Sequence, residues 1–254
     1  LTWMLATNGN HFTQTTEEFG GETNWNKVWP SISYTNGHAL NYFGTPLPTG
    51  IANNTWTRLK QINIFLDNVD QHGLPQYTRN KLKAQLFFWR AWQYFELVRL
   101  YGGVPLVVTP QNPILTDVEE NAIPRSSTSE SIKQITADLD SAISMLPGKY
   151  TSTADWGRIT SGAAAALKGR GLLTWASPLF NRNDQEARWA EAYQANAEAK
   201  TLLEENGFGL YKVGNLANGE AWGKMFLAEG SANPEAVMVF GFNNMAAEGN
   251  GTKN

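Results

Sequence analysis

The chain has 254 residues and 42% hydrophobic side chains, enough for one sizeable core, and no apolar run of about 18 residues that would cross a bilayer as a helix. Twenty Lys and Arg against 23 Asp and Glu give a net charge of −3 with no basic cluster, which argues against nucleic-acid binding. Cysteine is absent, which excludes disulfides and thiolate metal sites. The unusual component is aromatic: ten Trp, eight Tyr and twelve Phe, set among many asparagines. Trp and Tyr offer a flat apolar face with a polar edge, and Asn offers a donor and an acceptor on one short arm. That pairing suits sugar rings, apolar on one face and ringed with hydroxyls; an aromatic core accounts for the composition equally well.

Residues 1–55 read as an irregular segment rich in Asn, Thr and Gly, with turn signals at Asn8-Gly9 and Asn36-Gly37. A helix is expected from Trp56 to about Val69, where Leu59, Ile62, Leu66 and Val69 recur at helical steps. A second, from about Thr78 to Tyr101, is apolar nearly all round and so buried on several sides. Gly102-Gly103 caps it, Pro105 stops it resuming, and Leu106-Val107-Val108 reads as extended. Ser127-Thr128-Ser129-Glu130 is a capping box before a helix that carries Ile132, Ile135, Leu139, Ile143 and Leu146 on one face. The small residues of 161–177 predict a central helix that a neighbour can approach closely. Another covers about Ala187–Glu205, with Trp189, Ala192, Asn196, Ala199 and Leu203 on one side. After Gly214 the pattern returns to loop, apart from the strand-like Ala236–Phe240. Paired helices joined by short breaks suggest a tetratricopeptide-type array.

Catalytic patterns are missing. His11, His38 and His72 lie far apart without metal-ligand spacing, and there is no Gly-x-Ser-x-Gly elbow and no phosphate loop. Glycoside hydrolysis needs two facing carboxylates. Asp138, Asp140, Glu198 and Glu204 read as exposed helix positions, and Glu17, Glu18 and Glu22 as a solvated loop. Arg90, Arg99, Arg125 and Arg158 are expected in structural roles. Neither cofactor nor metal is implied.

The helical segments carry a resemblance. Leu86–Val107, LFFWRAWQYFELVRLYGGVPLV, is similar to the R-A-x-x-Y-F-x-L-V-x-x-Y-G-G-V-P-L block of SusD/RagB proteins, and INIFLDNV at 62–69 to the A-N-x-F-L-E-N helix before it. Pro124-Arg125-Ser126 with 135–146 resembles P-R-S/T…I-x-x-D-L-x-x-A…L-P. Gly157-Arg158-Ile159-Thr160 with 163–181 resembles G-R-x-T…A-A-x-A-L-x-x-R-x-x-L…A-S-P-L-F-N, and Trp189–Ala192 and Asn233-Pro234-Glu235 echo later blocks. The order of these blocks makes the match specific.

The resemblance implies a mostly α fold, with tetratricopeptide-like helical pairs as scaffold, long irregular loops and few short strands. It implies a single SusD-like domain, trimmed at both ends, in which 1–55 is the ligand-facing segment, 56–213 the scaffold and 214–254 the start of a loop-rich part. It further implies a non-catalytic glycan-binding lipoprotein of the outer membrane, surface-exposed and held by an N-terminal lipid anchor that this chain does not include. Such a protein passes oligosaccharide to a SusC-like TonB-dependent transporter. A peptide-binding RagB-like uptake protein and a helical-repeat protein-interaction module are the alternatives. For glycan binding, the expected residues are Trp25, Trp29, Tyr34 and Tyr42 with Asn24 and Asn26 beside them, then Asn243 and Asn244. Packing of the long loop onto the scaffold is the competing role for each aromatic.

Overall fold

A computed structural model describes residues 55–111, 122–228 and 230–239. The order of helices is α1 (Thr55–Asn68), α2 (Gln76–Tyr101), α3 (Thr128–Met145), α4 (Ser161–Ala176), α5 (Glu186–Glu205) and α6 (Glu220–Leu227). Short 3-10 turns occupy Val69–Gln71, Thr153–Asp155 and Gly230–Ala232. The mostly α fold expected from the sequence is observed, with boundaries within two residues of those read from periodicity and capping.

The 26 residues of α2 form the axis of the scaffold. Phe88, Trp89, Tyr94, Phe95 and Val98 are all buried along it, which agrees with its apolar surroundings on several sides. Each long helix then packs on its successor: α2 on α3, α3 on α4, α4 on α5, while α1 rests on α2. Ile132, Ile135, Leu139 and Ala142 turn the face of α3 into the core. Burial of Ile135 and Leu139 contributes about 1.5–3 kcal/mol each before entropy is deducted.

The capping box forms as the sequence requires. The Ser127 Oγ accepts from the Glu130 backbone N–H at 3.1 Å, and the Glu130 carboxylate accepts from the Ser127 N–H at 2.7 Å. The Ser127 hydroxyl also donates to that carboxylate at 2.8 Å, and this bond together with the one from the Ser127 N–H holds the Glu130 carboxyl below the usual range. Ser127→Ala is expected to cost about 1 kcal/mol, read as a lowered midpoint in urea unfolding; an unchanged midpoint would mean the box does not support α3 in solution.

Small residues set the approach of α4 to α5. A Cβ on Gly162 would lie 2.4 Å from the Leu203 side chain, and one on Gly169 would lie 2.5 Å from the Asn196 amide. Asn196 also donates to the Gly169 carbonyl at 3.1 Å, tying the two helices together. Ala192, Ala195 and Ala199 are the buried residues of α5, whereas Trp189 faces outward and bonds Asp184 through its indole N–H.

Three expectations are corrected. Asp138 is not an exposed helix residue but is buried. The chain after Gly214 is not loop throughout, because it forms α6. Ala236–Val239 is not a strand among the described residues: Val239 donates one backbone bond to the Gly157 carbonyl at 3.0 Å, and no ladder follows. Val237 and Met238 instead lie against the core, so their apolar pattern records packing rather than pairing.

Candidate functional site

All eight residues expected to bind glycan, Trp25, Trp29, Tyr34, Tyr42, Asn24, Asn26, Asn243 and Asn244, lie outside the described residues. What the structure describes is the helical scaffold that follows residue 54 in the chain. Thr55, where α1 begins, is buried.

A buried polar network joins α1, α2 and α3. The Arg90 guanidinium forks onto Asp138, with Nε donating to Oδ2 at 2.7 Å and Nη2 to Oδ1 at 2.6 Å. The two residues are 6% and 3% exposed. Arg90 Nη1 also donates to Asn63 Oδ1 at 3.0 Å and to the Val108 carbonyl at 3.1 Å, and Gln134 donates to Asp138 at 3.1 Å. Asn63 Nδ2 donates to the Val107 carbonyl at 2.7 Å. The Tyr94 hydroxyl donates to that carbonyl and accepts from the Val107 N–H, both at 2.8 Å. The network therefore straps the extended residues 104–108 across α1, α2 and α3.

The electrostatics follow from burial. Desolvation pushes the Tyr94 hydroxyl up to about 12 and raises the Asp138 carboxyl, against the downward pull of Arg90. Glu96 is likewise raised by burial and drawn back by Arg99, whose Nη2 lies 2.5 Å from it. Each nitrogen of the Arg90 fork has a protein acceptor, so the group acts as a structural clamp. The remaining arginines also act within the chain: Arg125 donates to the Tyr101 and Gly103 carbonyls at the end of α2, and Arg158 pairs with Asp155 at 2.6 Å.

The clamp explains the sequence blocks. Asn63, Arg90 with Tyr94, and Asp138 come from three separate blocks, and Gly103 belongs to the Y-G-G stretch. A Cβ on Gly103 would stand 2.0 Å from the Ser126 carbonyl oxygen. Gly157 has φ +80 and packs on Val239, Thr160 caps α4, Asn181 holds the turn before α5, and Glu235 accepts from the Tyr211 N–H. These are turn and cap positions. Among the described residues, no cluster of His, Asp and Glu is placed to hold a metal, and no helix is long and apolar enough to cross a membrane.

The described surface also carries exposed aromatics, and sequence reasoning missed the most prominent pair. On α6, Ala221 and Met225 face the protein, while Trp222 and Phe226 stand 66% and 67% exposed. Their ring centroids are 5.1 Å apart at 77°. The signal was the i, i+4 pair in EAWGKMFL; Gly223 and the shortness of the segment hid the helix.

A family model described as SusD-like, starch-binding and associating with the outer membrane matches residues 1–173. The chain belongs to the SusD-like family. A SusD-like protein from Bacteroides fragilis is 30% identical over 63% of this chain and 28% of its own length, with a TM-score of 0.52. A SusD superfamily protein from Parabacteroides distasonis is 23% identical over 74% of this chain and 36% of its own, with a TM-score of 0.53. A third structure, solved with a xylogluco-oligosaccharide, is 22% identical over 61% of this chain and 29% of its own, with a TM-score of 0.51. The SusD-like chain thus spans about a third of the length of these solved relatives. None of the curated proteins matches it.

Proposed function

We propose that this SusD-like chain is part of a non-catalytic, cell-surface glycan-binding protein that passes oligosaccharide to a SusC-like TonB-dependent transporter at the outer membrane, where a lipid anchor holds it. The observation that carries this reading is the family match over residues 1–173, which takes in the Trp- and Asn-rich segment 1–54 as well as the clamp. A similar fold solved with a xylogluco-oligosaccharide supports a sugar ligand over a peptide. In this reading the helices and their clamp form a rigid support, and variable aromatics on the long segments stack on sugar faces while Asn side chains bond hydroxyls.

Trp25, Trp29, Tyr34 and Tyr42, with Asn24 and Asn26, are the proposed contacts, and Asn243 and Asn244 a second group. One stacking ring contributes on the order of 1 kcal/mol, so Trp25→Ala and Trp29→Ala are each expected to weaken binding about 5-fold. Calorimetry with maltoheptaose, a xylogluco-oligosaccharide and a mixed peptide pool tests both points. Heat with peptides alone would replace the sugar reading with a peptide-uptake one, and two variants that bind like wild type would remove these tryptophans from the site.

A further inference from the structure

Asparagine amides are chemically labile, most of all before glycine, which has no Cβ to shield its backbone nitrogen from the amide carbon. Two Asn-Gly pairs fall within the described residues: Asn206-Gly207 after α5 and Asn218-Gly219 before α6. Their surroundings are opposite. Asn206 is locked. Its Nδ2 donates to the Leu202 carbonyl at 2.8 Å, and its amide packs on Gly148 so closely that a Cβ there would overlap it. The Gly207 N–H is engaged as well, donating to the Glu204 carbonyl at 3.0 Å. Leaving group and attacking nitrogen are both tied to the last turn of α5.

Asn218 is arranged the other way. Its Oδ1 accepts from the Glu220 N–H at 3.1 Å, a local turn that folds the side chain forward over the Gly219 peptide. Neither the Asn218 NH2 group nor the Gly219 N–H donates to anything among the described residues. Gly219 has φ +78, with nothing within 4 Å of where a Cβ would be, so no side chain screens the approach. The Glu220 N–H is also aimed at the oxygen on which negative charge develops when a nucleophile adds to the amide.

We propose that Asn218 is a site of spontaneous chemical modification, losing its amide to attack by the Gly219 nitrogen, while Asn206 is preserved by the fold. In the first step the Gly219 nitrogen gives up its proton and bonds to Asn218 Cγ. The Cγ–Nδ2 bond breaks, and Nδ2 departs with that proton as ammonia. Water then opens the cyclic imide. Addition at Cγ yields aspartate at position 218, and addition at the main-chain carbonyl yields isoaspartate. Water is the co-reactant, and nothing is oxidised or reduced. Either product brings a negative charge beside Glu220, and isoaspartate adds a methylene to the main chain, so the turn leading into α6 is remade. This holds whatever ligand the chain binds and stands apart from the sugar-binding reading.

The test incubates the folded chain in a mildly alkaline buffer, in parallel with the chain unfolded in urea. Lys200, Lys212 and Lys224 bound tryptic peptides 201–212 and 213–224, so mass spectrometry reads the two pairs separately, and fragment masses distinguish Asn218 from Asn215. In urea both pairs are expected to convert at similar rates. In the folded chain Asn218 should convert at least about 10-fold faster than Asn206, whose two hydrogen bonds must open first. Asn218→Gln, which would need a larger ring, should abolish most of the conversion in peptide 213–224. Gly219→Ala should do the same by placing a Cβ beside the nitrogen, and the glutamine variant keeps the test free of the strain alanine meets at φ +78. If Asn206 converts as fast as Asn218 in the folded chain, local geometry does not select the site and the proposal is wrong. It is equally wrong if folded Asn218 stays intact for as long as its full conversion takes in urea.

Discussion

Arg90→Ala is expected to destabilise the chain by about 3–5 kcal/mol, because it leaves the buried Asp138 carboxylate without its partner. The loss spreads beyond that pair. Asn63 Oδ1 and the Val108 carbonyl each lose the donor they share with Arg90, so the strap at 104–108 is loosened from α1 as well. Arg90→Lys should rescue little, since one ammonium cannot make the fork onto both Asp138 oxygens while also reaching Asn63. Urea unfolding of wild type, Arg90→Ala, Asp138→Ala and the double variant measures the coupling directly. The double variant is expected to cost much less than the sum of the two singles. Additive losses would show that the two residues do not share one interaction, and the clamp would then be misassigned.

Phe88→Ala is expected to cost about 3–5 kcal/mol through the cavity it opens at the centre of α2. Phe88 is 1% exposed, its ring meets Trp89 edge-on at 5.2 Å and 86°, and Trp92 lies 6.0 Å away. Both ring contacts disappear with it. A helix packed on several sides cannot collapse into the gap without disturbing α3, so the upper part of that range is expected. Phe88→Leu keeps most of the volume and should cost no more than about 1.5 kcal/mol. Denaturant midpoints at constant slope provide the measurement. An alanine variant within about 1 kcal/mol of wild type would mean the ring does not belong to a closed core.

The resemblance blocks acquire a physical meaning in the clamp. Read along the chain, Asn63, Arg90, Tyr94 and Asp138 are polar residues set on otherwise apolar helices, and nothing local distinguishes Asp138 from Asp140 two positions on. In the structure Asp138 meets Arg90 and is buried, whereas Asp140 pairs with Lys168 at the surface, its side chain 56% exposed. Helical phase separates the two by about 200°, but phase alone does not say which side a partner will occupy. Expecting Asp138 to be exposed therefore failed for a definite reason: its burial is offset by an arginine 48 residues away.

The local signals did well where local physics decides. The capping box at Ser127 and the stop at Gly102-Gly103 both rest on backbone geometry that a few adjacent residues impose. The spans of α4 and α5 were legible from their small-residue and apolar patterns. Helix α6 escaped because its Gly223 weakens the propensity and its buried face holds only Ala221 and Met225. Ala236–Val239 misled for the opposite reason. A short apolar run suits a strand or a core contact equally, and no neighbouring strand is present among the described residues to pair with it.

The sequence by itself determined the mostly helical fold, the end of α2 and the capped start of α3, and membership of the SusD-like family, because periodicity, caps and ordered blocks are all written locally or in linear order. Only the tertiary structure decided that Asn63, Arg90, Tyr94 and Asp138 meet in one clamp, and that Trp222 and Phe226 face away from the core. Both depend on which faces other helices cover. A helix records in its sequence that it has faces; its neighbours, fixed by contacts far apart in the chain, settle which of them is covered.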